Sequence, residues 1–397
     1  MDTKSIIDTF TKYVIPTPAR LPIVIMRGKG AHVWDSDGKE YLDLFSGWGV
    51  STVGYCHPKV TAAIKAQVDK LIHMPNNFYN ELQGQLAKVI SEKSFSGKCF
   101  FCNSGAEANE TALKLARKYG HDSGKNEVIS MENSFHGRTF GSMTATGQIK
   151  YQKDFMPVVP GFSYVPFGDF DALKKAVTSK TCAVIMEPIQ GEGGINIASK
   201  EYFQNVRALC DEKDVILIFD EVQTGCGRTG KYFAFQYYNV LPDVMTLAKT
   251  LGGGFPIGAA IARGKFGDVL QPGNHASTFG GSPLACSAAL AVFKAIDDEK
   301  MLDNVAKMGA YLMKRLKELK KKYSYVSEVR GVGLMVGMEL EKNGPEIVKK
   351  CMEKGLIINC TAGKVIRFLP SLAISQKELD EGLSILDSVM GEFAAEG

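Results

Sequence analysis

The sequence has almost no excess of charge of one sign: 47 Lys and Arg stand against 43 Asp and Glu, a formal +4 over 397 residues. So small a surplus excludes a dedicated nucleic-acid binder or a trap for acidic ligands. No apolar run comes near the ~18 residues of a membrane span. The opening residues, Met1 to Asp8, lack the apolar core of a signal peptide. Internal repeats, low-complexity tracts and Ser/Pro-rich linkers are missing too, and disordered and collagenous classes drop out with them. Cysteines are present but unframed: nine of them, an odd number, scattered from Cys56 to Cys360. The one close pair, Cys99 and Cys102, lies in a strand-like apolar run that sends the two side chains to opposite faces, and no second CxxC accompanies it. Plain burial of reduced thiols is the better reading than zinc or a disulfide framework. These absences predict a cytoplasmic globular protein with no nucleic-acid or membrane partner, and the length predicts two or three domains at roughly 150 residues each.

What the chain does contain is rhythm. After a polar amphipathic stretch, the first 50 residues offer a hairpin, with Asp37-Gly38 as turn chemistry between Val33 and Tyr41. From 59 to 262, helical periodicity (59–72, 80–93, 105–118, 169–177, 200–212) alternates with apolar runs (98–102, 127–131, 182–186, 215–219, 243–247, 257–262). Strands separated by helices of that length are joined by crossovers, so the expectation is an α/β fold with a mostly parallel central sheet flanked by helices. Beyond 282, long helices (282–297, 299–322, 344–354, 376–391) and short strands (326–330, 333–340, 356–359, 365–368) read as a smaller α+β domain. The expected division is 51–282 as the large domain and 283–397 as the small one, which the N-terminal segment 1–50 joins.

In an open α/β sheet, ligands bind beyond the carboxyl ends of the strands, so polar residues just after the apolar runs come first. Ser104, Gly105 and Ala106 follow 98–102 and open a helix. Free N–H groups there suit an anion, although an ordinary Ser N-cap accounts for the same residues. Asp220 ends a strand that is apolar on both faces, and a carboxylate in that place either caps a loop or meets a cation. Lys249 is the only charge between Val244 and Gly258. Desolvation there lowers its pKa and makes the amine nucleophilic; a lysine snorkelling from a strand edge is the alternative, but it leaves Gly252, Gly253 and Gly254 unexplained. Phe135 and Arg138 follow 127–131, where a ring and a guanidinium either sandwich a flat ligand and grip a carboxylate or serve core packing and a surface ion pair. Arg367, among apolar neighbours, needs a carboxylate from the protein or from a substrate. Glu187 and Glu192 supply carboxylates at another strand end.

Phosphate donors at a helix start, a stacking ring, a buried carboxylate for a ring nitrogen and a desolvated lysine are together the set that holds pyridoxal 5'-phosphate. The blocks Phe101–Glu110, Asn133–Thr139, Glu187–Gly194, Phe219–Gly225, Ala248-Lys-Thr-Leu-Gly-Gly-Gly254 and Ser277-Thr-Phe-Gly-Gly281 resemble the class III aminotransferases. The similarity runs from about residue 20 to the C-terminus, and within the class the chain most resembles the N-acetylornithine aminotransferases. That resemblance implies the fold type I of pyridoxal-phosphate transferases and a homodimer with shared active sites. It also implies transfer of the terminal amino group of N2-acetylornithine to 2-oxoglutarate, giving N-acetylglutamate 5-semialdehyde and glutamate in arginine biosynthesis. By resemblance, Lys249 binds the cofactor covalently and then shuttles a proton, Asp220 holds the pyridinium proton, Gln223 meets the 3-hydroxyl oxygen and Phe135 stacks on the ring. Ser104, Gly105 and Ala106 take the phosphate together with Thr278 of the partner subunit, and Glu187 and Val222 complete the cofactor pocket. Arg138 grips the donor's α-carboxylate, Arg367 takes the second carboxylate-bearing partner, 2-oxoglutarate, and Glu192 neutralises Arg367 while the amino donor is bound. Ser277 and Trp48 fall on the substrate side, and no metal is implied.

Two residues depart from the pattern. Thr250 stands where the class usually has Gly, a change expected to be mild because Thr tolerates extended backbone. Trp48 stands where relatives are commonly aliphatic or Tyr, which bears on the fit of the acetyl group. A rival reading rests on Gly225-Cys-Gly227-Arg-Thr-Gly230, a GxGxxG that would serve a nicotinamide-dependent dehydrogenase. Five residues separate it from its strand and no crossover helix follows, so a flexible loop is expected there. Ornithine, 4-aminobutyrate and succinyldiaminopimelate transaminases share nearly every residue named above. An aminomutase needs neither two carboxylate-gripping arginines nor Glu192.

Overall fold

The structure, a computed structural model, describes residues 2–395. Seven strands, β1 (Gly97–Cys102), β2 (Glu127–Met131), β3 (Phe162–Val165), β4 (Thr181–Met186), β5 (Ile216–Asp220), β6 (Val244–Leu247) and β7 (Gly258–Arg263), form one sheet. Their order is β1-β7-β6-β5-β4-β2-β3. β7 runs antiparallel to both of its neighbours, and the other four joints are parallel. The sheet is thus mostly parallel, as the helix-separated apolar runs require. Alternation along β4 and β5 feeds two apolar layers. Val184, Met186, Leu217 and Phe219 face one, and Ala183, Ile185, Ile216 and Ile218 face the other, where the helix Gly105–Gly120 packs with Ala112, Leu113 and Ala116.

A second, four-stranded antiparallel sheet is built from Val326–Val332, Met335–Leu340, Val365–Phe368 and Asn359–Thr361 and is covered by the helices Met301–Lys322, Gly344–Glu353 and Gln376–Ala395. The Asp37-Gly38 hairpin forms between His32–Asp35 and Glu40–Asp43, and Leu356–Ile357 adds a parallel strand beside Glu40–Asp43. One apolar cluster therefore runs from Leu42 and Leu44 through Val336, Ile366 and Leu379. The helix Pro283–Asp298 belongs to both bodies: Ala285, Ala289 and Phe293 enter the core of the large sheet, whereas Ala288, Val292 and Ala295 enter the other cluster.

Three expectations need correction. β3 and the helix Phe140–Ala145 lie outside the expected elements: β3 is a four-residue edge strand paired only with β2, too short for its alternation to stand out. Residues 225–229 are buried rather than a flexible loop, pinned by the Arg228 guanidinium, which donates to the carbonyls of Leu334 and Pro370. Thr250 is not extended, because Lys249–Gly252 is a turn of 3-10 helix. No helix of the described residues is long and apolar enough to cross a membrane.

Candidate active site

The carboxyl ends of β2, β4, β5 and β6 and the start of the helix after β1 surround a cavity of about 320 Å³. Ser104, Gly105, Ala106, Phe135, Glu187, Glu192, Asp220, Val222, Gln223 and Lys249 all line it. The Ser104 hydroxyl accepts from the Glu107 amide at 3.2 Å, so the serine is the helix N-cap. The cap leaves the Gly105 and Ala106 amides, the first two of the helix, without an intrahelical acceptor beside the positive end of the helix dipole.

Asp220 closes the opposite side. Its Oδ1 accepts from the Val222 amide at 3.0 Å, and its Oδ2 lies 2.7 Å from both Asn109 Nδ2 and His136 Nδ1. Thr246, opposite Asp220 on β6, donates to Asn109 Oδ1 at 2.7 Å and so fixes which end of that amide faces the carboxylate. Neither Asn109 nor His136 was singled out in the sequence. The signal for Asn109 was a polar side chain three and seven positions before the buried Ala112 and Ala116, on their face of the helix; His136 carried none.

Lys249 leaves β6 with φ +47°, a left-handed conformation that a lysine adopts at a cost, and its amine reaches the cavity. Burial lowers its pKa; Glu192 opposes the shift, Arg367 adds to it, and Asp220 and Glu187 oppose it more weakly. Glu187 accepts from the Phe135 amide at 3.0 Å and the Gly191 amide at 3.1 Å, yet burial pushes its pKa up to about 7.

Arg367 lies behind this wall, wholly buried on its strand. Its partner is Glu192, 2.6 Å from one terminal nitrogen, and Asn359, its neighbour across the sheet, takes Nε and the other nitrogen at 3.2 and 2.8 Å. Thr361 holds the Glu192 carbonyl at 2.6 Å. Phe45 and Trp48 cover the guanidinium, with ring centroids 5.3 and 5.6 Å from its carbon. Asn359 is the third residue that sequence reasoning missed, since only strand pairing brings it beside Arg367.

Besides Arg367, four expected residues do not line the cavity. Arg138 is exposed, its guanidinium carbon 4.1 Å from the Tyr151 ring centroid, while Tyr151 in turn meets Phe135 edge-on at 5.7 Å. Trp48 is half-exposed at the far side of Arg367. The Ser277 hydroxyl accepts from Asn103 Nδ2 at 3.3 Å and the Gly280 amide at 3.1 Å, and Thr278 is exposed.

Pyridoxal 5'-phosphate fits the cavity by its donor set and by its shape. His136 Nε2 is buried there without a partner. The cradle at the helix start is so close that a Cβ on Gly105 would stand 2.8 Å from Val222 Cγ1. Anion donors, Phe135 and Val222 on the cavity wall, a fixed carboxylate and an amine held below its usual pKa are therefore present together.

Residues 14–390 match the family Aminotransferase class-III. An acetylornithine aminotransferase from Methanocaldococcus jannaschii is 52% identical over 398 residues, covering 99% of this chain and 100% of that protein. Another, from Caldanaerobacter subterraneus subsp. tengcongensis, is 52% identical over 386 residues, 96% of this chain and 98% of that protein. The crystal structure of the ornithine aminotransferase from Toxoplasma gondii ME49 superposes with a TM-score of 0.95 at 35% identity, covering 100% of this chain and 97% of that one. The family match, the two full-length relatives and the lysine-centred cavity agree: this chain belongs to the class III aminotransferases, enzymes that work through pyridoxal 5'-phosphate.

Proposed function

We propose that this enzyme transfers the terminal amino group of N2-acetylornithine to 2-oxoglutarate, yielding N-acetylglutamate 5-semialdehyde and glutamate, a step that serves arginine biosynthesis. The observation that carries the acceptor is the Arg367–Glu192 pair: a buried guanidinium fit for a substrate carboxylate, already neutralised by a side chain that lines the cavity. The donor rests on the two relatives at 52% identity, both acetylornithine aminotransferases.

When bound, the cofactor supplies an electron sink for the carbanion left at the substrate carbon. The protein does the rest. The Gly105 and Ala106 amides would take the phosphate, with Ser104 as cap, and Phe135 and Val222 would hold the ring. Asp220, fixed by Asn109, His136 and the Val222 amide, would keep a proton on the ring nitrogen, and Gln223 and Glu187 would complete the pocket. Lys249 Nζ would anchor the cofactor and, once free, would take a proton from the substrate carbon and return one; burial lowers its pKa, which favours the neutral amine that the first of these tasks needs. Arg138, without an ion pair among the described residues, receives the donor's α-carboxylate at the mouth while Glu192 covers Arg367. For 2-oxoglutarate, Glu192 gives way and Arg367 takes a carboxylate of that substrate.

The same reading makes the enzyme a cytoplasmic homodimer. Thr278 and Ser277 stand outside their own cavity beside the exposed Phe279, as residues that meet a partner's site would. It also treats residues 51–282 as the cofactor domain and 1–50 with 283–397 as the smaller one. A panel of N-acetylornithine, ornithine, 4-aminobutyrate and N-succinyldiaminopimelate with 2-oxoglutarate tests the donor. N-acetylornithine should have the highest kcat/KM, and a better rate with ornithine, the substrate named for the Toxoplasma neighbour, would replace the reading. Lys249→Ala should abolish the visible absorbance that the wild-type protein gains with pyridoxal phosphate.

A further inference from the structure

Four consecutive residues, Ser46, Gly47, Trp48 and Gly49, have φ of 49, 56, 67 and 72°. A left-handed turn containing two side-chain-bearing residues is unfavourable by itself and persists only where its surroundings hold it. It is clamped at both ends. Before it, Asp43 accepts from the amides of Phe45 and Ser46 at 2.6 and 2.9 Å and from the Tyr55 hydroxyl at 2.6 Å. After it, the Gly49 carbonyl accepts from the Thr52 hydroxyl at 2.9 Å, and Thr52 Oγ1 accepts from the Thr250 hydroxyl at 2.9 Å and from Arg228 at 3.2 Å. Arg228 is wholly buried and pairs with no carboxylate among the described residues. Its other bonds go to the carbonyls of Leu334 and Pro370, which ties Thr52 to the chain that has just carried Arg367.

Thr250 is thus the link between the segment of Lys249 and a strained turn whose one large side chain, Trp48, lies against Arg367. Glycine, the usual residue of the class at this position, has no hydroxyl to make that link. Two rings over a guanidinium keep water from it and strengthen its hold on a carboxylate.

We propose that Thr250 is a positioning residue for the dicarboxylate half of the reaction: through Thr52 its hydroxyl holds the turn Ser46–Gly49 in place and so keeps Trp48 over the Arg367 guanidinium. The inference rests on the reading of Arg367 as the anchor of 2-oxoglutarate. It concerns how strongly that substrate is held and leaves the chemistry at Lys249 untouched.

Single turnover of the holoenzyme with glutamate, followed by its visible absorbance, tests this without reference to the donor. Thr250→Val should weaken the apparent affinity for glutamate about fivefold to tenfold, the worth of one buried hydrogen bond, with the limiting rate and the absorbance maximum unchanged. Thr250→Ser should restore it. Trp48→Ala, at an exposed position that tolerates truncation, should show a loss of the same kind, and the double variant should lose no more than the larger single one, because both act on one contact. Wild-type affinity in Thr250→Val or in Trp48→Ala, or losses that multiply in the double variant, would overturn the proposal. A wild-type enzyme inert to glutamate would instead overturn the acceptor reading and this inference with it.

Discussion

Replacing Glu192 with Gln separates the two jobs assigned to Arg367. In the structure, Glu192 occupies the guanidinium at 2.6 Å, and Asn359 satisfies its remaining face. A dicarboxylate must displace Glu192, whereas a donor with an acetylated α-amine uses Glu192 as a shield. A hydrogen bond to a charged group contributes about 1.5–3 kcal/mol, and its geometry here is good, so removing the internal competitor should change relative affinity about ten- to 150-fold. The direction follows from charge. Glutamate meets an arginine that no longer has a rival anion and binds more tightly, while N-acetylornithine meets an uncompensated cation and binds more weakly. Rapid-mixing half-reactions with each amino donor read both changes in one preparation. The ratio of kcat/KM for glutamate over N-acetylornithine should rise by that factor. The variant should also unfold at a lower temperature, because a buried charge loses its partner. A ratio that stays put, or moves toward N-acetylornithine, refutes the switch and leaves Arg367–Glu192 a structural pair.

Glu221, buried beside Asp220 and accepting from the Ala234 and Phe235 amides, is pushed by burial to about 7, as is Glu187. Both carboxyl pKa values are raised from about 4.5 in the unfolded chain, so the folded cofactor-free protein binds more protons between about pH 4.5 and 7 and loses stability as pH rises across that window, by about 3 kcal/mol per group. Glu221→Gln should remove one share of that slope in denaturant midpoints taken at pH 5 and 7.5, and an unaltered slope would contradict it. Gly105→Ala puts a methyl 2.8 Å from the stiff Val222 side chain and should weaken pyridoxal-phosphate binding by about 1–3 kcal/mol, read by absorbance titration. Equal affinity would show that the helix start is not the cradle. Asn109→Ala removes the 2.7 Å bonds to Asp220 and to the His136 carbonyl and leaves the Thr246 hydroxyl unpaired; it should cost about 1–3 kcal/mol in stability and weaken cofactor binding as well. Unchanged cofactor affinity would mean that Asp220 is held well enough without it.

The sequence is legible where a residue's role follows from its own element. Asp220 at the end of a strand apolar on both faces, and Lys249 alone in an apolar and glycine stretch, are unusual before any neighbour is known, and both line the cavity. Arg367 is legible as a need, a cation that must find a carboxylate, but not as a pair, because Glu192 lies 175 positions away and meets it only when two sheets are set side by side. Asn359 and His136 are ordinary polar residues until pairing and strand order place them: one lies opposite Arg367 across two antiparallel strands, the other 2.7 Å from Asp220 on a different strand end. Periodicity contains the elements and not their order, so residues whose work is to hold another residue are the ones it hides. The turn at Trp48 is the extreme case. Nothing in Ser46-Gly-Trp48-Gly announces four left-handed residues, and a tryptophan there argues locally against them. Its conformation is set by the flanking Asp43 and Thr52 together with Thr250 and Arg228 from two distant parts of the chain. It follows that the two departures from the class pattern, Thr250 and Trp48, cannot be judged singly. One hydroxyl and one indole, 202 positions apart, meet at the same guanidinium-covering turn, and a substitution at either has to be read through the other.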